Sequence, residues 1–179
     1  MRPKALFLIA LICCMTSCIK DTDFEQADQI TLSPEYELDL VYFTVDPTMF
    51  TAVGELGEAF RVSDTTNIRF LDDSFIQESL VRAEVFFKLT NSIPRDFQLE
   101  VEFMTLNNEV QYQFDIPIAA GTVAAPVITE HLEVFDTAAE LGPLTSSSRV
   151  VISVSSPETV ETLDGTLNLQ SKSAYFLEF

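Results

Sequence analysis

Between Val81 and Pro117 apolar and polar residues alternate three times in succession, and this period of two constrains the fold more than any other feature of the chain. Val81, Ala83, Val85, Phe87 and Leu89 alternate with Arg82, Glu84, Phe86, Lys88 and Thr90. Phe97, Leu99, Val101 and Phe103 then alternate with Gln98, Glu100, Glu102 and Met104. Val110, Tyr112, Phe114 and Ile116 alternate with Gln111, Gln113, Asp115 and Pro117. Successive side chains of a strand point to opposite faces, so each run buries one face and wets the other. Helical spacing fits none of them.

Turn residues separate the runs: Asn91 to Asp96, Asn107-Asn108, and Ala119 to Thr122. An earlier strand is expected over Tyr36 to Val45, stopping at Asp46-Pro47. Later ones are expected over Arg149 to Ser153, Gly165 to Gln170 and Ala174 to Phe179, parted by Ser155-Ser-Pro157, Asp164-Gly165 and Ser171-Lys-Ser173. Seven or more short strands with regular turns predict an all-β, antiparallel, immunoglobulin-like β-sandwich. Two short helices are predicted, over Ser74 to Leu80 and over Phe135 to Leu141, the second closed by Gly142-Pro143. Phe87, Phe97, Phe103 and Phe114 read as core. Phe43 and Phe86 fall on nominally wet faces, which points to strands buried on both sides; an apolar patch for a partner is the alternative.

The N-terminus reads as an export signal. Arg2 and Lys4 precede an apolar run of eleven residues, Ala5 to Met15, too short to span a bilayer as a helix. The run ends in Met15-Thr16-Ser17-Cys18, which resembles the bacterial lipobox, with Met15 standing where that family usually has Leu. The resemblance implies removal of residues 1–17 and attachment of diacylglycerol, with its fatty acyl chains, to Cys18. Lys20, Asp21 and Asp23 follow at once. They resemble the lysine-then-acidic tag that sends lipoproteins of the Bacteroidetes to the cell surface, although Thr22 interrupts the acidic run. Residues 18–34 then form the lipidated Cys and a polar tether, and 35–179 one sandwich domain. The expected location is the outer membrane, lipid-anchored and facing the exterior, with a periplasm-facing anchor as the alternative.

Charge and cysteine usage exclude several functions. Without residues 1–17 the chain keeps 8 basic against 28 acidic residues, a formal net charge of −20. Such a surface repels nucleic acid and gains nothing from anionic headgroups. No Cys follows Cys18, so the mature domain has no internal disulfide, thiolate nucleophile or Cys-based zinc site.

Lys88-Leu-Thr-Asn91-Ser-Ile-Pro94 and Ile116-Pro-Ile-Ala-Ala-Gly121-Thr122 together resemble the late-embryogenesis-abundant (water-stress) sandwich domain over about a fifth of the chain. The turn here is Asn-Ser-Ile-Pro where that family has Asn-Pro. The resemblance implies a sandwich and carries no activity.

Candidate chemistry is sparse. His131 is the only histidine, flanked by Glu130 and Glu133, and reads as an exposed or capped side chain because a lone His cannot build a His-rich zinc site. Asp72-Asp73-Ser74 reads as helix capping in preference to calcium binding. No catalytic residue, metal or cofactor is expected. The chain is expected to be a non-enzymatic structural or interaction module, bound to the membrane through its lipid and open to a protein partner. The alternatives are a pilus or adhesin-type assembly subunit and a hydrolase with an acidic site.

Overall fold

The computed structural model describes residues 31–46, 48–49, 60–156 and 164–179. Eight strands carry the fold among them: β1 (Glu35–Val45), β2 (Phe60–Asn67), β3 (Leu80–Asn91), β4 (Phe97–Met104), β5 (Val110–Ile118), β6 (Val127–Phe135), β7 (Arg149–Ser156) and β8 (Leu167–Leu177). Two short helices, α1 (Ser74–Ser79) and α2 (Ala138–Thr145), lie in the connections. One sheet has the order β1-β8-β3-β6 and the other β2-β7-β4-β5, with every pairing antiparallel. The antiparallel sandwich is therefore as the sequence predicts. Within it the pairs β1·β8, β2·β7, β3·β6 and β4·β5 are nested, which is the strand order of a jelly roll. The immunoglobulin likeness holds for the two-layer architecture and not for this connectivity.

The strict alternation of β3 and β4 does what its period demands. Ala83, Val85, Phe87 and Leu89 face Leu99, Val101, Phe103, Ile152 and Val154, all buried. Each such Val, Leu, Ile or Phe contributes about 1.5–3 kcal/mol relative to an exposed position. Val81, expected inward, is exposed, because the register shifts between Leu80 and Arg82 and hands the inward position to Leu80. A similar irregularity between Asp39 and Val41 buries both Leu40 and Val41. It also turns Phe43 toward the core. Phe86 stays on the outer face of its sheet, half-buried in a shallow dip with Tyr42, Lys88, Gln170 and Lys172. That outer face is open, with Tyr42 and Leu132 exposed, so β3 is not covered on both sides.

The structure departs from the sequence pattern at two further places. The sequence reads Ser171-Lys-Ser173 as a turn, yet β8 runs through it unbroken. Ser171 and Ser173 point inward and are buried, lying in register beside Phe87 and Val85, so small residues make room for large ones. The helix expected to stop before Gly142-Pro143 begins later and continues through them to Thr145. Its start is fixed by a capping box, in which Glu140 accepts from the backbone N–H of Thr137 at 3.1 Å. The weakly apolar edge strands β2 and β6 have no counterpart in the sequence reading.

At the end of the sandwich where β3 meets β4, Asn91 joins two loops. It is fully buried; its Nδ2 donates to the carbonyls of Arg95 and Ala119, both at 2.8 Å, and its Oδ1 accepts from Ile93 N at 2.9 Å. Gly121 packs against the same residue so closely that a Cβ there would lie 1.9 Å from the Asn91 carbonyl oxygen. Asp96 adds a bond from Ala120 N at 2.6 Å.

Asn91→Ala leaves the backbone groups of buried Ile93 and Arg95, and that of Ala119 at the surface, without this partner and is expected to cost about 2–4 kcal/mol in urea unfolding. Gly121→Ala is expected to cost a similar amount. Ser171→Ala removes a buried hydroxyl that has no hydrogen-bond partner among the described residues, and should be neutral or stabilising by up to about 1 kcal/mol. Equal destabilisation by all three would contradict this account of the buried polar groups.

Candidate interaction surface

The residues Leu32–Phe179 form one compact unit. The chain enters it beside its last strand: Leu32 and Phe179 exchange backbone hydrogen bonds at 2.8 and 3.1 Å, and Leu177 N donates to Pro34 O at 3.1 Å. The connection from β2 to β3 lies across this entry end as a 3₁₀ turn (Arg69–Asp72) followed by α1. Leu71 is its buried anchor. Asp73 caps α1 by accepting from Phe75 N at 2.9 Å, and Asp72 accepts from Ser148 Oγ at 3.0 Å. Asp73 is thus the helix cap that the sequence reading expects, whereas Asp72 ties the turn to Ser148. Gln77 Nε2 fastens α1 through the carbonyls of Leu71 and Thr145, at 2.9 and 3.1 Å.

With Leu71 taking the inward position, its neighbours Phe70 and Phe75 face out. Phe70 meets Tyr175 edge-on at 4.7 Å, and Phe75 meets Phe179 at 5.1 Å. Tyr36, Leu38, Phe70, Ile76, Tyr175 and Leu177 line a cleft of about 220 Å³. Around it Leu32 is 53% exposed, Tyr36 54%, Phe75 50% and Phe179 48%. Burial raises the pKa of the Tyr175 phenol, keeping it neutral, with a hydrogen bond to Ser173 acting the other way. Exposed Glu35, Glu37 and Glu178 alternate with these side chains along the chain. This end is the apolar surface of the described residues best suited to a partner.

A second cluster spans the seam between edge strands β5 and β6. His131 Nε2 lies 2.9 Å from Glu133 Oε2, and the imidazole stacks on Phe114 at 5.4 Å. The Tyr112 hydroxyl donates to Glu133 as well. Beneath them Phe135 meets Tyr112 at 5.0 Å and Phe103 at 5.7 Å. His131 is therefore a capped side chain, paired with one of the two glutamates that the sequence places beside it. Desolvation, then the hydrogen bond and the charge of Glu133, push the Tyr112 phenol up to about 12. The trio latches the edges of the two sheets together.

The lipidation candidate Cys18 and the export-signal candidates Lys20, Asp21 and Asp23 lie outside the described residues. Among those described, no group of three or more His, Cys, Asp or Glu is placed to hold a metal ion. A second cleft, beside Asp96, Phe97, Gln98, Pro117, Ile118 and Ala119, contains a single carboxylate.

No protein-family model and no curated protein matches the chain. Among solved structures, it is similar to a protein of Parabacteroides distasonis designated as secreted, at 12% identity, over 65% of this chain and 38% of that one, with a TM-score of 0.44. It is also similar to the VP2 subviral particle of infectious bursal disease virus, at 6% identity over 80% and 32%, TM-score 0.45. Tailspike protein 4 of bacteriophage CBA120 matches at 11% identity over 81% and 19%, TM-score 0.38. The chain spans at most about two fifths of the length of these structures.

Tyr112 supplies a direct check on the seam. A phenol raised in the folded state stabilises it fully below the unfolded value of about 10, and that contribution is lost as pH rises toward about 12. Ultraviolet titration should show one tyrosine ionising near 12. Glu133→Gln should lower that value part of the way, since the burial of Tyr112 remains. A Tyr112 that ionises at its ordinary value would contradict the latch.

Proposed function

We propose that this chain is a lipid-anchored, non-enzymatic interaction module of the bacterial outer membrane. The observation that carries the reading is the apolar, aromatic end at which the chain enters the sandwich, because a folded domain leaves such a cluster exposed where it meets a partner. The N-terminal pattern supports the anchor: a basic start, an apolar run, then Met15-Thr16-Ser17-Cys18. The residues Lys20, Asp21 and Asp23 support export to the cell surface.

The rival readings receive less support. Strand-exchange assembly calls for a long apolar edge, and these edges are broken by charge and proline: Glu35, Glu37 and Asp39 on β1, Asp115 and Pro117 on β5, Glu130 and Glu133 on β6. A hydrolase calls for two acids in one cleft, and the cleft beside Asp96 offers one. Asn91 and Gly121, the residues of the water-stress resemblance, touch each other and hold loops, so that resemblance contributes no functional residue.

Metabolic labelling with a fatty acid should mark wild type and leave Cys18→Ser unmarked; equal labelling would sink the anchor. Changing Lys20, Asp21 and Asp23 together to Ala should keep the protein lipidated while removing its accessibility to protease on intact cells. A wild type already protected from protease contradicts surface exposure.

A further inference from the structure

We propose that the entry end of the sandwich is a second membrane contact, seated on the lipid–water interface of a bilayer with zwitterionic headgroups. The inference rests on the lipid-anchor reading above and names the partner of its apolar end.

Position is the first argument. Thirteen residues separate Cys18 from Leu32, and Leu32 belongs to the apolar cluster itself. Fully extended, that length spans at most about 50 Å, so an acylated Cys18 holds this end near the bilayer. Docking of a tethered domain is intramolecular, at an effective concentration on the order of millimolar, so a weak intrinsic affinity is enough.

Composition is the second argument. Displayed rings lie beside buried residues: Phe70 is next to Leu71, Phe179 lies two residues after Leu177, and Tyr36 on β1 lies opposite Tyr175 on β8. The displayed rings of Tyr36, Phe70, Phe75 and Phe179 form one surface with Leu32 and Leu38. Tyr36, with an apolar ring and a polar tip, suits the interfacial region, and the Phe and Leu side chains suit its acyl side.

Charge is the third and decides between occupants. Glu35, Glu37 and Glu178 are exposed within two residues of Tyr36, Leu38 or Phe179. Glu37 is paired with Lys172 at 2.9 Å and Arg69 is exposed beside Phe70, but exposed Asp72, Asp73 and Glu78 keep this end acidic in sum. Two copies of the chain meeting through this end would bring those carboxylates together, and anionic headgroups would meet the same repulsion. A zwitterionic interface takes the rings while the carboxylates remain in water. The contact is therefore apolar, and salt should barely change it.

The sequence contains no tryptophan, so single-tryptophan reporters are clean. Phe75→Trp and Tyr36→Trp report on the entry end. Val123→Trp, at an exposed site in the loop between β5 and β6, reports on the other. Each full-length protein, processed and purified from membranes, is reconstituted into vesicles of phosphatidylcholine and phosphatidylethanolamine carrying acyl-brominated lipid, and Cys18 acylation is read by mass spectrometry. Both entry-end reporters should shift to the blue and be quenched several-fold more than Val123→Trp, with little change on adding salt. Acylated protein whose entry-end reporters are unquenched overturns this inference and leaves the anchor standing. Unacylated protein that is quenched on adding vesicles supports this contact and overturns the anchor. A blue shift that depends on protein concentration, without quenching, overturns the inference in favour of a second copy of the chain.

Discussion

Two sheets that are apolar on one side only must each hide that side, and in this chain they hide it against each other. The layer of Val85, Phe87, Leu89, Leu99, Val101, Phe103, Ile152 and Val154 is the constraint on which the rest depends. It fixes the register of every strand, because a slip of one residue would carry a whole apolar set to the outside. It explains the irregularities too. The shifts near Leu80 and Leu40 change which residue faces in, and Ser171 and Ser173 lie inside because Phe87 and Val85 fill the adjoining space. At the layer's margin Asn91 enters as a closed set with its three backbone partners.

The nested pairing has a consequence for function. Because β1 pairs with β8, the first and last segments of the sandwich lie side by side, and the connection from β2 to β3 crosses the same end. That single topological fact gathers Leu32, Tyr36, Phe75 and Phe179 from positions far apart in the sequence. At the other end the loops 92–96 and 119–121 are held through Asn91, Gly121 and Asp96. The two ends thus differ in kind, one displaying aromatic rings, the other holding its loops through buried polar bonds. On the proposed reading, the first faces the membrane and the second faces away from it.

Much of the fold is legible in the sequence, for a physical reason. Strands β3, β4 and β5 lie where period two is strict, since one face is buried and the other wet. The exceptions are in β5, where Val110, expected inward, is exposed beyond the register shift at Phe103/Met104, and Tyr112 and Phe114 are only partly buried. Edge strands are harder to read: β2, with Arg61, Ser63, Asp64, Thr65 and Thr66, buries too little to leave a pattern, and β6 mixes Glu130, His131 and Glu133 among its apolar residues. Serine misleads at Ser171 and Ser173, because the same small side chain that suits a turn also fits a crowded interior. The pairing of His131 with Glu133 is visible as proximity, whereas the role of Tyr112 depends on the two sheet edges meeting. The apolar end is not legible at all. Phe70, Phe75 and Phe179 come together only through the strand order.

The central claim is that the two ends of the sandwich face different surroundings. Hydrogen–deuterium exchange, compared between the acylated protein on zwitterionic vesicles and the unacylated chain in vesicle-free buffer, tests it most directly. The account predicts slower exchange on vesicles over residues 68–79 and around Leu32 and Phe179, with residues 119–126 unchanged. Protection at 119–126 with none at the entry end would contradict it.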